Sequence, residues 1–176
     1  MAEPIQAEGL QGLNSMLEQM TAYKEMLERE QAQKAAHEAQ EAAANEAQAT
    51  EFGAFVETAY LIAAADGAVS ESERQRLSHG ISQLTQGKLD DQQIEQHMQT
   101  AASRFQNEGR DGRIQAVASV ISDPNLRRAA LLVAAGVAWL DRGVGEKEGL
   151  ALQAISRAFD IPINDMHKLL AQAKQR

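Results

Sequence analysis

Cysteine is missing from all 176 residues. Disulfides and thiolate-held metals are therefore excluded, and a reducing cytoplasm is the expected home. Proline occurs only three times, and the aromatics are limited to four Phe, two Tyr and one Trp. With Ala, Gln, Glu and Leu abundant instead, the composition predicts an all-α fold. No apolar run approaches the ~20 residues that cross a bilayer. The two most apolar stretches, 54–65 (AFVETAYLIAAA) and 129–140 (AALLVAAGVAWL), have the length of buried core helices. The N-terminal MAEPIQAEGLQGLN lacks the basic start and apolar core of a secretory signal. Clustered positive charge is also absent. Of a net charge of −8, most belongs to residues 1–50, where nine glutamates face Lys24, Arg29 and Lys34. Nucleic acid and anionic lipid both demand dense Lys and Arg, so neither is expected as a partner.

Catalytic signatures are equally scarce. His37, His79, His97 and His167 share no ligand spacing and read as surface residues. Gly109-Arg110-Asp111-Gly112 is no phosphate loop, because no strand precedes it and no G-K-[ST] comes after it. No spacing suggests a nucleophile beside a base, so a non-enzymatic role is expected.

What the chain does contain is helical periodicity in two regimes. From about Gly9 to Thr50 no proline intervenes, which predicts one long N-terminal helix, with residues 1–50 forming a leader and spacer. Leu10, Leu13, Leu17, Met20 and Leu27 fall at heptad spacing, widened by Met16, Tyr23 and Met26, so residues 10–27 have a face to bury. That face can pack on its own domain, on a second copy or on a protein partner. Beyond Leu27 the stripe degrades to alanine, leaving a solvated spacer supported by pairs such as Glu30 with Lys34. A straight spacer would hold the stripe some 30 Å from the bundle, at ~1.5 Å per residue. Residues 51–176 read as that bundle, compact and made of about seven helices. Asp66-Gly67, Gly87-Lys88, Gly109 with Gly112, Asp123-Pro124, Asp141 and Ile161-Pro162 mark the breaks.

An internal repeat organises the bundle. Asp66-Gly67-Ala68-Val69-Ser70-Glu71-Ser72-Glu73 recurs as Asp141-Arg142-Gly143-Val144-Gly145-Glu146-Lys147-Glu148, sharing D-x-x-V-x-E-x-E. Each copy comes after an alanine-rich apolar helix and precedes an amphipathic one. After a one-residue slip, a polar third helix begins at Asp90-Asp91 or Asn164-Asp165. Two pseudo-repeat halves are implied.

At these residues the chain resembles the tellurite-resistance TerB-like family, whose halves carry A-D-G-x-V-S-x-E-E and D-G-x-[FV]-x-x-x-E turns. The similarity spans roughly 51–176 and includes the Asp123-Pro124 helix that leads into the second turn. The resemblance implies a compact helical bundle with a metal site formed by the two acidic turns, here Asp66 and Glu73 with Asp141 and Glu148. Arg142 stands where the family has glycine, bringing a positive charge to the turn.

Carboxylates crowded at facing corners must be protonated, paired or bound to a cation. Oxygen ligands alone select Ca²⁺ or Mg²⁺, with Mn²⁺ a lesser fit. A local reading competes: Ser70 and Glu73 form an S-x-x-E capping box, and acids in a first turn suit the helix dipole without any metal. It covers Glu148 less well, since Gly145 has no side chain to cap with. The expected function is a cytosolic, divalent-metal-binding module of the metal or oxyanion (tellurite) stress response, acting through protein partners. The alternative is an adaptor or assembly protein, with the N-terminal helix oligomerising or recruiting and the bundle as a structural block.

Overall fold

Helix formers run unbroken by proline from Ile5, and the chain answers with one helix, α1 (Ile5–Ala63). The structure, a computed structural model, describes residues 5–174 other than 85, 88, 142 and 143, and side chains at all of these except 5–11, 13, 84, 137, 140 and 141. Two compact units emerge, Met1–Ala47 and Gln48–Arg176. Within the first, Lys24–Glu28, Lys34–Glu38 and His37–Glu41 are neighbours at i and i+4. Lys34 thus reaches forward to Glu38. Such exposed pairs are each worth only a few tenths of a kcal/mol.

The second unit takes the last turns of α1 together with α2 (Glu71–Leu84), α3 (Asp91–Val120), α4 (Pro124–Asp141), α5 (Glu146–Ala158) and α6 (Ile163–Lys174). The chain is all-α, with no strand among the described residues. No helix among them is long and apolar enough to cross a membrane. Among the described residues six α-helices stand where the breaks predict the leader plus seven, for two local reasons. The leader continues through Gly53 into the first bundle helix, and Gly109 kinks α3 without ending it.

The core lies where the periodicity puts it. Phe55, Val56, Ala59, Ile62, Ile94, Met98, Ile114, Val117 and Ile121 are buried, joined by Leu61, Leu77, Ile81, Leu131, Leu152 and Ile155. The apolar α4 packs against α2, α5 and α6, while α3 packs against α2 and α5. Gly53 lets α1 approach α3 closely, since a Cβ there would stand 3.2 Å from His97 Nδ1. His97 is consequently half-buried and not the surface residue its spacing suggested. Burial lowers its pKa, and the nearby Arg104 guanidinium lowers it further.

One charged group sits inside this core. Glu57 is 1% exposed, a position tolerable only if its carboxylate is fully paired. Arg113 supplies a fork, with Nε donating to Oε1 at 2.6 Å and Nη2 to Oε2 at 2.9 Å. Arg104 Nη1 adds a 3.3 Å bond to Oε2, and Arg113 Nη1 also reaches Glu108 at 2.9 Å. The hydrogen bond to Glu57 is the main cause holding the Arg113 pKa above even an arginine's ordinary value.

The two halves end their equivalent helices alike. At α2, the Gly87 N–H donates to Ser82 O and Gln86 to Gln83 O; at α5, Ile161 donates to Ser156 O and Asp160 to Arg157 O. Both are Schellman closures, with Gln86 (φ 54) and Asp160 (φ 56) in the left-handed position. Arg127 locks the second half onto the first. Its guanidinium donates to Ile121 O, Ala118 O and Phe159 O at 2.7, 2.9 and 3.2 Å.

This packing is testable at Glu57 and at His97. Glu57→Ala deprives the partly buried Arg113 of its principal partner and should destabilise the chain by about 3–5 kcal/mol, whereas Glu108→Ala, at the solvent edge, should cost under about 1 kcal/mol. Equal urea midpoints for the two variants would refute the assignment. For His97, a folded pKa below the ordinary 6.5 means the fold prefers the neutral ring. Its contribution is therefore complete above pH 6.5 and is lost as pH falls below it. The melting-temperature gap between wild type and His97→Gln should narrow from pH 7.5 to 5.5, and a constant gap would show that the ring is not held neutral.

Candidate functional site at the acidic turns

The first acidic turn begins where α1 tightens into a single 3-10 turn, Ala64–Asp66. Gly67 comes next with φ 148 and ψ −138, its N–H donating to Ala64 O at 3.3 Å. Only glycine enters that region freely, which accounts for Asp-Gly here. Asp66 is exposed. Three residues on, Ser70 opens α2, with the Arg74 N–H donating to its carbonyl at 2.9 Å. The Ser70 N–H and Oγ–H both donate to Glu73 Oε2, at 2.7 and 2.6 Å, and the Glu73 N–H returns a 3.3 Å bond to Ser70 Oγ. This is a closed capping box.

The second turn does the same with half the parts. Gly145 opens α5 in an extended conformation, φ −71 and ψ 171. Its N–H donates to Glu148 Oε2 at 2.7 Å. The absence of a side chain at Gly145 therefore does not leave Glu148 unexplained, because the backbone N–H alone occupies the carboxylate. α4 ends at Asp141, whose side chain, like the whole of Arg142 and Gly143, lies outside the described residues.

The fold brings the two turns into relation through one contact: the 3-10 turn ending in Asp66 packs against α5, the helix that Glu146 and Glu148 open. Yet no three Asp, Glu or His side chains converge as a metal-holding group among the described residues. Asp66, Glu73 and Glu148 do not form a closed ligand set by themselves, and the share of Asp141 falls outside the described side chains. The capping bonds all end on Oε2 of each glutamate, so Oε1 stays outside the caps. Chemically, the donor set suits a hard, oxygen-seeking cation. Glu71 is engaged elsewhere, accepting from Gln75 at 3.2 Å.

Another cleft, of about 370 Å³, runs beside Ala64, Ala65, Phe105 and the α3 kink. The acids on its rim are matched by bases: Glu108 holds Arg113 at 2.9 Å and Asp111 lies 3.8 Å from Arg110. Near the second turn, Trp139 packs against the core as its sequence position implied. Lys174 Nζ lies 5.2 Å from its ring centroid, and the buried indole N–H has no hydrogen-bond partner. On the leader, Leu17 and Met20 are more than half exposed, together with Met16, Tyr23 and Met26. Leu27 is half-buried, and the side chains of Leu10 and Leu13 lie outside the described residues.

Sequence reasoning missed the Glu57 network. The signal was present, since a lone glutamate inside AFVETAYLIAAA has no polar face to occupy. It also missed Arg127, half of an Arg-Arg pair that reads as surface until the three carbonyls around it are seen.

The family model of the tellurite resistance protein TerB matches residues 53–171. No curated protein and no solved structure gives a significant match.

The turn geometry carries its own prediction. Ser70→Ala removes the two bonds of the hydroxyl, to Glu73 Oε2 and from the Glu73 N–H, leaves only the backbone N–H arm, and should cost about 1 kcal/mol, while Glu71→Gln, outside the box, should stay within about 0.5 kcal/mol of wild type. Chemical denaturation of the full chain measures both, and an unaffected Ser70→Ala would mean that the Ser70 hydroxyl is not serving as a cap.

Proposed function

The chain belongs to the tellurite-resistance TerB family, and on that premise we propose that it is a non-enzymatic, cytosolic module of metal or oxyanion (tellurite) stress, taking up Ca²⁺ or Mg²⁺, and Mn²⁺ less well, at its acidic turns and acting through protein partners. The observation that carries the reading is the packing of the Asp66 turn on α5, the helix whose first turn carries Glu148. Asp66 would supply a carboxylate outside the first capping box, Asp141 would supply a second, and Glu73 and Glu148 would add Oε1. The protein's own part would be to hold the glutamate oxygens at fixed helix starts, so that a cation meets a charge-dense corner with little reorganisation.

A second reading is favoured by a specific observation. Glu73 and Glu148 are each already bonded to a backbone N–H, which is all that a structural block requires. In that reading the bundle is a scaffold, and the leader, with its exposed Met16, Leu17, Met20 and Tyr23, does the recruiting.

One titration separates them. Trp139 is the chain's single tryptophan, two residues before Asp141, so its fluorescence reports on the second turn. At a hundredfold excess over Kd a cation adds about 2.7 kcal/mol, or roughly 5–10 °C in Tm for a chain of this size. We expect Ca²⁺ or Mg²⁺ to raise Tm and perturb Trp139 emission, reversibly with EDTA. Asp66→Asn and Asp141→Asn should abolish the response and Glu71→Gln should keep it. A wild type indifferent to all three cations would leave the carboxylates as caps and the scaffold reading standing.

A further inference from the structure

The leader's exposed face is a seam with a symmetry of its own. Its positions, 10, 13, 17, 20, 24 and 27, are spaced by three, four, three, four and three, a pattern that reads the same in both directions. Lys24 fills one of them, is 77% exposed and lies 3.8 Å from Glu28 on its own helix. Further along, the same heptad positions turn polar and charged: Gln31, Lys34, Glu38, Glu41 and Asn45.

Resting on the reading of this face as an interface, we propose that the leader pairs with a second copy of this chain as an antiparallel two-helix coil over residues 10–27, in the register where paired positions sum to 37. Charge decides the direction. A parallel pair in register sets each seam residue against itself, so Lys24 would meet a like charge inside the coil, and Lys34, Glu38 and Glu41 would be held beside their copies just beyond it. Reversing one helix about the midpoint between Glu18 and Gln19 removes the Lys24 clash and separates the others. By register, position 10 then stands opposite 27 of the second copy and 13 opposite 24, and Leu17 meets Met20. The aliphatic stem of Lys24 can lie along the seam while its ammonium stays in water. The charged positions past Leu27 leave from opposite ends of the pair.

The flanks fit as well. One heptad edge carries Met16 and Tyr23, and reversal sets Met16 beside Tyr23 of the second copy, a sulfur–aromatic pairing repeated by the dyad. The other edge carries Asn14 and Thr21, which likewise meet each other. An isologous C2 contact of this kind closes on itself and stops at two copies. Leu17, Met20, Met16 and Tyr23, each more than half exposed in the single chain, would be covered together.

The absence of cysteine makes the test direct. Light scattering of the full chain across a dilution series should reach twice the 19.1 kDa of one chain, and Leu17→Glu with Met20→Glu should return it to 19.1 kDa with the bundle's Tm unchanged. Spin labels on Gln33→Cys should then lie about 45 Å apart, since 29 residues of rise separate them along the axis, while labels on Gln19→Cys should lie within about 20 Å. Short distances from both labels would mean a parallel pair and overturn the proposal. A chain monomeric at every concentration, or a dimer that survives the double substitution, would overturn it too. A monomer whose leader nevertheless captures a different protein would refute this pairing while leaving the partner reading intact, and neither result depends on the metal titration.

Discussion

The bundle depends on a carboxylate that has no water. Glu57 projects from the apolar face of α1 into the core, and an isolated charge there would be prohibitive. Its partners come from both limbs of α3, Arg104 before Gly109 and Arg113 after it. In a straight helix nine residues make about 2.5 turns, so the two arginines would point to opposite sides. The break at Gly109, φ 75 and ψ 167, turns them onto one target. The kink and the buried acid therefore explain each other. Without the acid Arg104 and Arg113 lose their shared target, and a straight helix at 109 would turn the second arginine away from it. Glu108 completes the arrangement, five residues before Arg113 and within 2.9 Å of it, a contact a regular helix would not bring about.

Helix ends carry the rest of the specificity. The halves start their second helices 75 residues apart, at Ser70 and Gly145, and close them 74 apart, at Ser82 and Ser156. The one-residue slip between the repeats is thus absorbed within that helix, α2 having 14 residues and α5 13. The symmetry is one of backbone hydrogen-bond geometry more than of side chains, since a serine box in one half is matched by a bare glycine in the other. Arg127 has no counterpart of this kind. It gathers the loose carbonyls at the end of α3 and at the close of α5, and it stacks 5.6 Å from the Phe159 ring, joining the two halves where neither can satisfy its own helix end.

Much of this was legible in advance, for identifiable reasons. Apolar stretches alone located Val56, Ile62, Leu131 and Ala134 in the core, because helices that apolar have no solvent face to turn outward. Asp66-Gly67, Ser70 with Glu73 and Asp123-Pro124 announced their turns through chemistry local to four residues. What stayed hidden depends on distant partners. Gly53 reads as a weak point in a helix until His97 is found against it, and His97 reads as a surface residue until Gly53 admits it. Gly109 reads as a terminator, since nothing in its neighbourhood shows that Glu57, 52 residues earlier, requires the chain to bend and continue.

The same distinction governs the acidic turns. A cap and a cation ligand ask for the same residue at the same place, because both exploit a helix start where N–H groups and oxygen donors converge. The difference lies in dependence. A glutamate already satisfied by Ser70 or Gly145 keeps its helix start without a metal, so occupancy at these corners would modulate a folded domain rather than create one. Such a domain answers concentration, whereas a site that must be filled in order to fold answers only presence or absence. Asp66 is what distinguishes the two readings at the first corner, since it is exposed there and forms no part of the capping box. The proposed chemistry therefore calls there on a carboxylate that the first cap does not use.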